Sequence, residues 1–340
     1  RKKMKKLLTT TALIGLVASS VSSYAETKVT GSIEQTYNTI STGGTGTASG
    51  NGALGQESNV KISSSKDLDN GMKLSGHLQI EDNSGAAKTD STSIKLTSGA
   101  ASFEVGVDTG QHIHSNINPR VDDNPFDSIS LSGDDGMNRF QAHDKQHVGV
   151  AYKTDAGTLA INYAPDGSGN GNGGSATDDI GGSAMEISFK GSLGIDGLSV
   201  LAGQETVEAN DSAGTVAGTL EEKEQVLSVS YGQGPWAVGY THRTYDDGDS
   251  AAATNSIETV TAVSATYAIS DTLSIGYEML TGEFENSATK LDEETDAITV
   301  GYNLGGLGVS FMYVESDNVG GSTDVANDKE SFQIRTVYSF

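Results

Sequence analysis

The chain has 340 residues, 35% of them hydrophobic, with 45 acidic side chains against 21 basic ones and a formal net charge of −24. So acidic a surface repels nucleic acid and attracts cations, and the absence of cysteine excludes disulfides and thiolate chemistry. No stretch beyond the N-terminal segment approaches a spanning helix, which excludes a helical membrane protein; a membrane β-barrel stays open, because its lipid-facing residues occupy only alternate strand positions.

Arg1, Lys2, Lys3, Lys5 and Lys6 precede an apolar run from Leu7 to Val17 and then small residues ending in Ser23-Tyr24-Ala25. This pattern reads as a secretory signal peptide over residues 1–25, with Met4 as its start and cleavage after Ala25. The remainder, 26–340, has no linker or shift of composition and reads as one domain. It carries 45 acidic side chains and a net charge of about −29.

From residue 26 apolar and polar residues alternate with period 2, the mark of strands with two unlike faces. Val29, Ile33 and Tyr37 share a face against Lys28, Thr30, Ser32 and Glu34, and Val60 and Ile62 flank Lys61. Met72, Leu74, Leu78 and Ile80 oppose Lys73, Ser75, His77 and Gln79. Ile94 and Leu96 flank Lys95, and Phe103, Val105 and Val107 oppose Glu104, Gly106 and Asp108. The pattern resumes at Val148, Leu159, Met185, Leu198, Leu227, Trp236, Thr261, Leu273, Ile298 and Leu307. It ends with Phe332, Ile334, Thr336, Tyr338 and Phe340 against Ser331, Gln333, Arg335, Val337 and Ser339. The count is about 16 strands, an even number as bacterial outer-membrane barrels require.

Short turns near 67–71, 154–157, 232–235, 268–271 and 303–306 alternate with long polar connections. The long ones are read at 40–56, 82–90, 109–146, 165–182, 206–222, 244–256, 281–294 and 315–328. A barrel with short periplasmic turns and long outer loops produces that alternation. Tyrosines such as Tyr37, Tyr163, Tyr231, Tyr240, Tyr267, Tyr302, Tyr313 and Tyr338 fall near strand ends on the apolar parity, as aromatic girdles do. The reading is an all-β antiparallel transmembrane barrel with lipid outside and a wet, polar lumen.

The opening Ala25-Glu26, the strand start Gly71-Met72-Lys73-Leu74, the run Phe103–Gly110 before the longest loop, and the final Phe340 two residues after Tyr338 are the most specific features. Over essentially all of 26–340 the chain resembles the general porins of Gram-negative outer membranes, most closely the alphaproteobacterial type. The resemblance implies a homotrimer of 16-stranded barrels, each with its own pore, in which the third outer loop folds inward. It also implies that Tyr338 and Phe340 form the signal read by the barrel-assembly machinery.

Residues 109–146 are too long for a mere connector. They hold Arg120, Asp122, Asp123, Asp127, Asp134, Asp135 and Arg139, with Pro119 and Pro125 to stiffen the segment and Phe126 and Ile129 to anchor it. Folded inward, these carboxylates would face the basic residues on the lumen parity, Lys61, Lys73, Lys95, Arg243 and Arg335, with His77 beside them. Opposed charges across an eyelet favour polar, hydrated solutes over apolar ones. The expected function is therefore passive diffusion of small hydrophilic solutes and ions across outer-membrane lipid. The excess of acid predicts a preference for cations.

No cofactor is implied, although Asp122-Asp123, Asp134-Asp135 and Asp246-Asp247-Gly248-Asp249 offer the hard oxygen ligands of Ca²⁺; plain solvated acid is the blander reading of each. His112, His114, His143 and His147 permit a metal site by spacing, and loop histidines at a pore mouth are the simpler account. His242 lies on the lipid parity without a nucleophile motif around it, so no enzyme is expected. Two alternatives stay open: a substrate-selective channel of the same barrel type, and a surface adhesin or layer protein.

Overall fold

A computed structural model describes residues 25–42, 52–83, 87–107, 146–165, 183–210, 219–246, 257–284 and 290–340. The first strands are β1 (Glu26–Thr42), β2 (Ala53–Asp67), β3 (Lys73–Asn83), β4 (Ala87–Ser98) and β5 (Ala101–Val107). Beyond the longest connection come β6 (His147–Lys153), β7 (Thr158–Ala164), β8 (Ala184–Gly191), β9 (Leu198–Asn210) and β10 (Thr219–Gln233). Next are β11 (Trp236–Asp246), β12 (Ile257–Ser270), β13 (Leu273–Phe284), β14 (Glu293–Asn303), β15 (Leu307–Asp317) and β16 (Lys329–Ser339).

Each strand pairs antiparallel with its neighbours in sequence, and β16 pairs with β1 to close the barrel. Closure leaves no strand edge, so every ladder group finds a partner without water. At the seam Gly31 and Phe340 exchange backbone hydrogen bonds of 3.0 Å in both directions. Gly31 has no side chain for a reason of space: a Cβ there would lie 2.4 Å from the Asn59 carbonyl oxygen and 2.8 Å from the Phe340 ring.

Register carries the apolar parity around the barrel as one continuous outer face. Trp236 opposes Tyr267, Tyr267 opposes Ile275, and the row continues through Val300, Phe311 and Ile334 to Tyr37. These residues are on the outside, where Trp236 is 58% exposed and Tyr338 52%. Trp236 and Tyr267 pack with ring centroids 4.4 Å apart at the short-turn end. Tyr231, Tyr302 and Tyr338 sit at that same end. Tyr37 and Tyr163 sit toward the long loops, whereas Tyr240 and Tyr277 fall nearer the short-turn ends of their strands and Tyr313 near the middle of its own.

Two expectations about segment sizes fail. The connection read at 82–90 shrinks to 84–86, because β3 and β4 stay paired through Asp82 and Ala87. Ladders elsewhere also run past the apolar band: β9 and β10 pair out to Asn210 and Thr219. Polar sequence outside the hydrocarbon still forms strands, since backbone pairing does not depend on greasy side chains. In the other direction, β6 and β7 have only seven residues each and β8 has eight, against 17 in β1, so one side of the wall is low.

Candidate functional site

The inner wall is built by the opposite parity. Lys61, Lys73, Lys95, Arg243 and Arg335 all occupy inward positions of β2, β3, β4, β11 and β16, as the alternation predicted. They do not form one cluster. Lys61 and Lys95 line a common hollow of about 470 Å³ with His77, Ser63 and Ser75. His77 is held through both ring nitrogens, by Ser91 Oγ at 3.2 Å and Ser93 Oγ at 3.0 Å. Lys73 stands at the short-turn end of β3, opposite Asp67.

Arg243 and Arg335 sit elsewhere, each against a glutamate. Arg243 Nε lies 3.4 Å from Glu224 Oε1, with the arginine side chain fully buried and the glutamate nearly so. Arg335 donates to Glu34 across the β16–β1 seam, joining residues 301 apart in sequence. Lys95 Nζ approaches Glu104 Oε2 at 3.7 Å. Basic residues of the wall are thus set against carboxylates of the wall itself.

The carboxylates of β8–β10 are what sequence reasoning missed. Glu186, Glu205 and Glu224 stand directly opposite one another on β8, β9 and β10, and all three are buried. Asn162 extends the row on β7 and donates Nδ2 to Glu186 Oε1 at 2.9 Å. The signal was present: each glutamate lies on the polar parity, as Glu186 does between Met185 and Ile187.

A wet lumen throughout is also corrected. On the inner face of β12–β15, Val260, Ala262, Leu280, Phe284, Ala297 and Met312 form a buried apolar cluster. Here both faces of the sheet are apolar, which alternation alone cannot assign.

Asp122, Asp123, Asp127, Asp134, Asp135 and Arg120 lie outside the described residues, as do His112, His114 and His143. His147 is buried at the start of β6 on the inner face. His242 is on the outside, its Nδ1 3.1 Å from Thr261 Oγ1. Among the described residues no group of three or more His, Asp or Glu is arranged to hold a metal ion.

A closed antiparallel barrel of sixteen strands with an apolar exterior and a lumen wall rich in acidic and basic side chains defines the outer-membrane class of channel barrels. The chain belongs to the Gram-negative porin family, whose profile matches residues 9–321. Two substituted porins of Rhodopseudomonas blastica, 12% and 13% identical, share the fold with TM-scores of 0.59 and 0.60, covering 93% of this chain and all of theirs. Vibrio cholerae OmpT, an outer membrane protein folded in vitro and solved in its trimer form, is 14% identical with a TM-score of 0.61. That alignment covers 94% of this chain and all of OmpT. No curated protein sequence matches the chain.

Proposed function

We propose that this porin is a passive diffusion channel for small hydrophilic solutes and ions, with a preference for cations and no need of a cofactor. The observation that carries this reading is the lumen wall, where Lys61 and Lys95 on one arc stand apart from Glu186, Glu205 and Glu224 on another. Fixed opposed charges in a low-dielectric tube orient water and reward solutes that carry dipoles or charge.

In this reading residues 109–146 fold inward and set the eyelet with Asp122, Asp123, Asp127, Asp134, Asp135 and Arg120. Asp122-Asp123 and Asp134-Asp135 are the places for Ca²⁺, should the channel hold it.

Three copies associate in this reading. On the outer face Thr336, Gln35 and Gln56 oppose one another across β16, β1 and β2, flanked by Ile33, Tyr37 and Ile334. Amides in an apolar band are better covered by protein than by lipid, and OmpT was solved in its trimer form. Export by the signal segment and insertion by the barrel-assembly machinery complete the picture.

The test is single-channel recording of refolded residues 26–340 in a planar bilayer, with the reversal potential measured under a KCl gradient. Expected are current steps in groups of three and a cation-selective potential. The paired substitution Asp122→Asn/Asp123→Asn should weaken that selectivity. Silent bilayers from well-folded, heat-modifiable protein would overturn the channel and revive the adhesin.

A further inference from the structure

The lysines of the lumen are sorted along its axis. Next to the short turns, or at the middle of their strands, stand six inward lysines: Lys28, Lys61, Lys73, Lys95, Lys153 and Lys190. The corresponding inner face of β9–β16 presents residues such as Ser199, Ser230, Gly239, Thr266, Gly301 and Ser310, with Glu278 at the middle of β13 and Arg335 on β16 as its charged groups among the described residues. Toward the long loops the balance reverses, with Glu57, Glu81, Glu205, Glu222, Glu224 and Glu293 on the inner parity. Arg243, Lys88 and Lys329 are the inward bases at that end. In a protein of net charge −24, such a concentration of lysine is against the composition.

Two hollows of about 470 and 360 Å³ open on this lysine-rich half and share Lys95. Together they are lined by five of the six lysines and by only two carboxylates, Glu26 and Glu104. Glu104 approaches Lys95 at 3.7 Å and so offsets part of that one charge. Hydroxyls complete the lining, among them Ser63, Ser75 and Ser93 in the first hollow and Thr97, Ser102 and Ser188 in the second. Ammonium groups give point charges without geometric demands, and hydroxyls donate to any remaining oxygen. Lysine-lined walls are the known physical route to anion and phosphate passage.

We infer that the short-turn half of the lumen is a binding vestibule for small multivalent oxyanions, phosphate-bearing or polycarboxylate solutes, in series with an acidic outer mouth. A univalent anion gains too little from scattered ammonium groups to be held. A multivalent one engages the lysines of one hollow together, Lys61 with Lys95 in the first or Lys95 with Lys190 in the second, and its several oxygens use the serine and threonine donors. The inference rests on the channel reading for its transport meaning, whereas binding itself does not require ion flow.

Inorganic pyrophosphate is the probe, titrated calorimetrically into the folded 26–340 barrel in detergent at low salt. Expected is saturable binding that weakens at least tenfold in Lys61→Gln/Lys95→Gln/Lys190→Gln and persists in Lys88→Gln at the opposite end. Heat-modifiable migration on gels checks that each variant is folded, and Lys95→Gln alone, expected to bind more weakly, serves if the triple variant fails to fold. Absence of binding to the native barrel, or equal binding in the lysine variant, overturns the inference. In bilayers, pyrophosphate on the short-turn side should reduce the current more than on the other side. Bilayers that stay silent count against the channel and leave the calorimetric result to decide the vestibule.

Discussion

Arg243 is the residue whose loss the barrel would feel first. It is fully buried against Glu224, and removing one partner of such a pair strands the other charge, at a cost of about 3–5 kcal/mol. Arg243→Met should therefore lower the temperature at which the barrel unfolds to its slow-migrating form. Adding Glu224→Met should return most of the loss, as measured by gel shift against temperature. The identity of these groups as lumen residues was legible from parity alone, since Arg243 alternates with His242 and Thr244. Their partners were not. Arg335 meets Glu34 across 301 residues of sequence, and nothing in a single strand states which carboxylate will stand beside it. Gly31 makes the same point. Its need for space comes from Asn59 and Phe340, two strands that meet only after register is set. Gly31→Val should reduce the yield of heat-modifiable barrel on refolding from urea, while Gly308→Ala, where a Cβ meets only a carbonyl at 4.0 Å, should leave it unchanged.

Among the strands, the outer face was the easier half to read, because lipid favours apolar side chains and so keeps the alternation regular over most of the barrel. The inner face tolerates glutamate, lysine, serine and, on β12–β15, leucine and phenylalanine. Strand existence was accordingly clear in the sequence and strand length was not, as the 82–90 connection and the long ladders of β9 and β10 illustrate. The girdle gives a test of placement, since Trp236 is the only tryptophan in the chain. In brominated-lipid vesicles its fluorescence should be quenched most by bromines near the headgroups and least by those at the chain ends, as its seat against Tyr267 at the short-turn rim requires. Deep quenching would mean that the barrel sits at another height.

For the molecule as a whole, closure joins its first and last strands, so no partial chain has both edges satisfied. Contacts of such range are slow to form, which makes refolding of the isolated chain a slow, concentration-sensitive step. Net charge acts at the same scale. Raising KCl from 0.05 to 1 M screens fixed carboxylates, so the cation preference proposed above, read by reversal potential, should shrink toward the bulk mobility ratio. A preference unchanged by salt would place selectivity in short-range contacts instead.

The low side of the wall has a consequence for the bilayer itself. A seven-residue strand such as β6 or β7 is roughly 24 Å long, and a tilt of about 40° leaves it near 18 Å tall, short of the ~25 Å band usual for outer-membrane barrels. Lipid beside β6–β8 must thin to meet it, at fractions of a kcal/mol per Å. The chain should insert fastest into vesicles of short-acyl lipids and stall in thick ones, so acyl-chain length becomes a handle on where and how quickly this barrel takes its place.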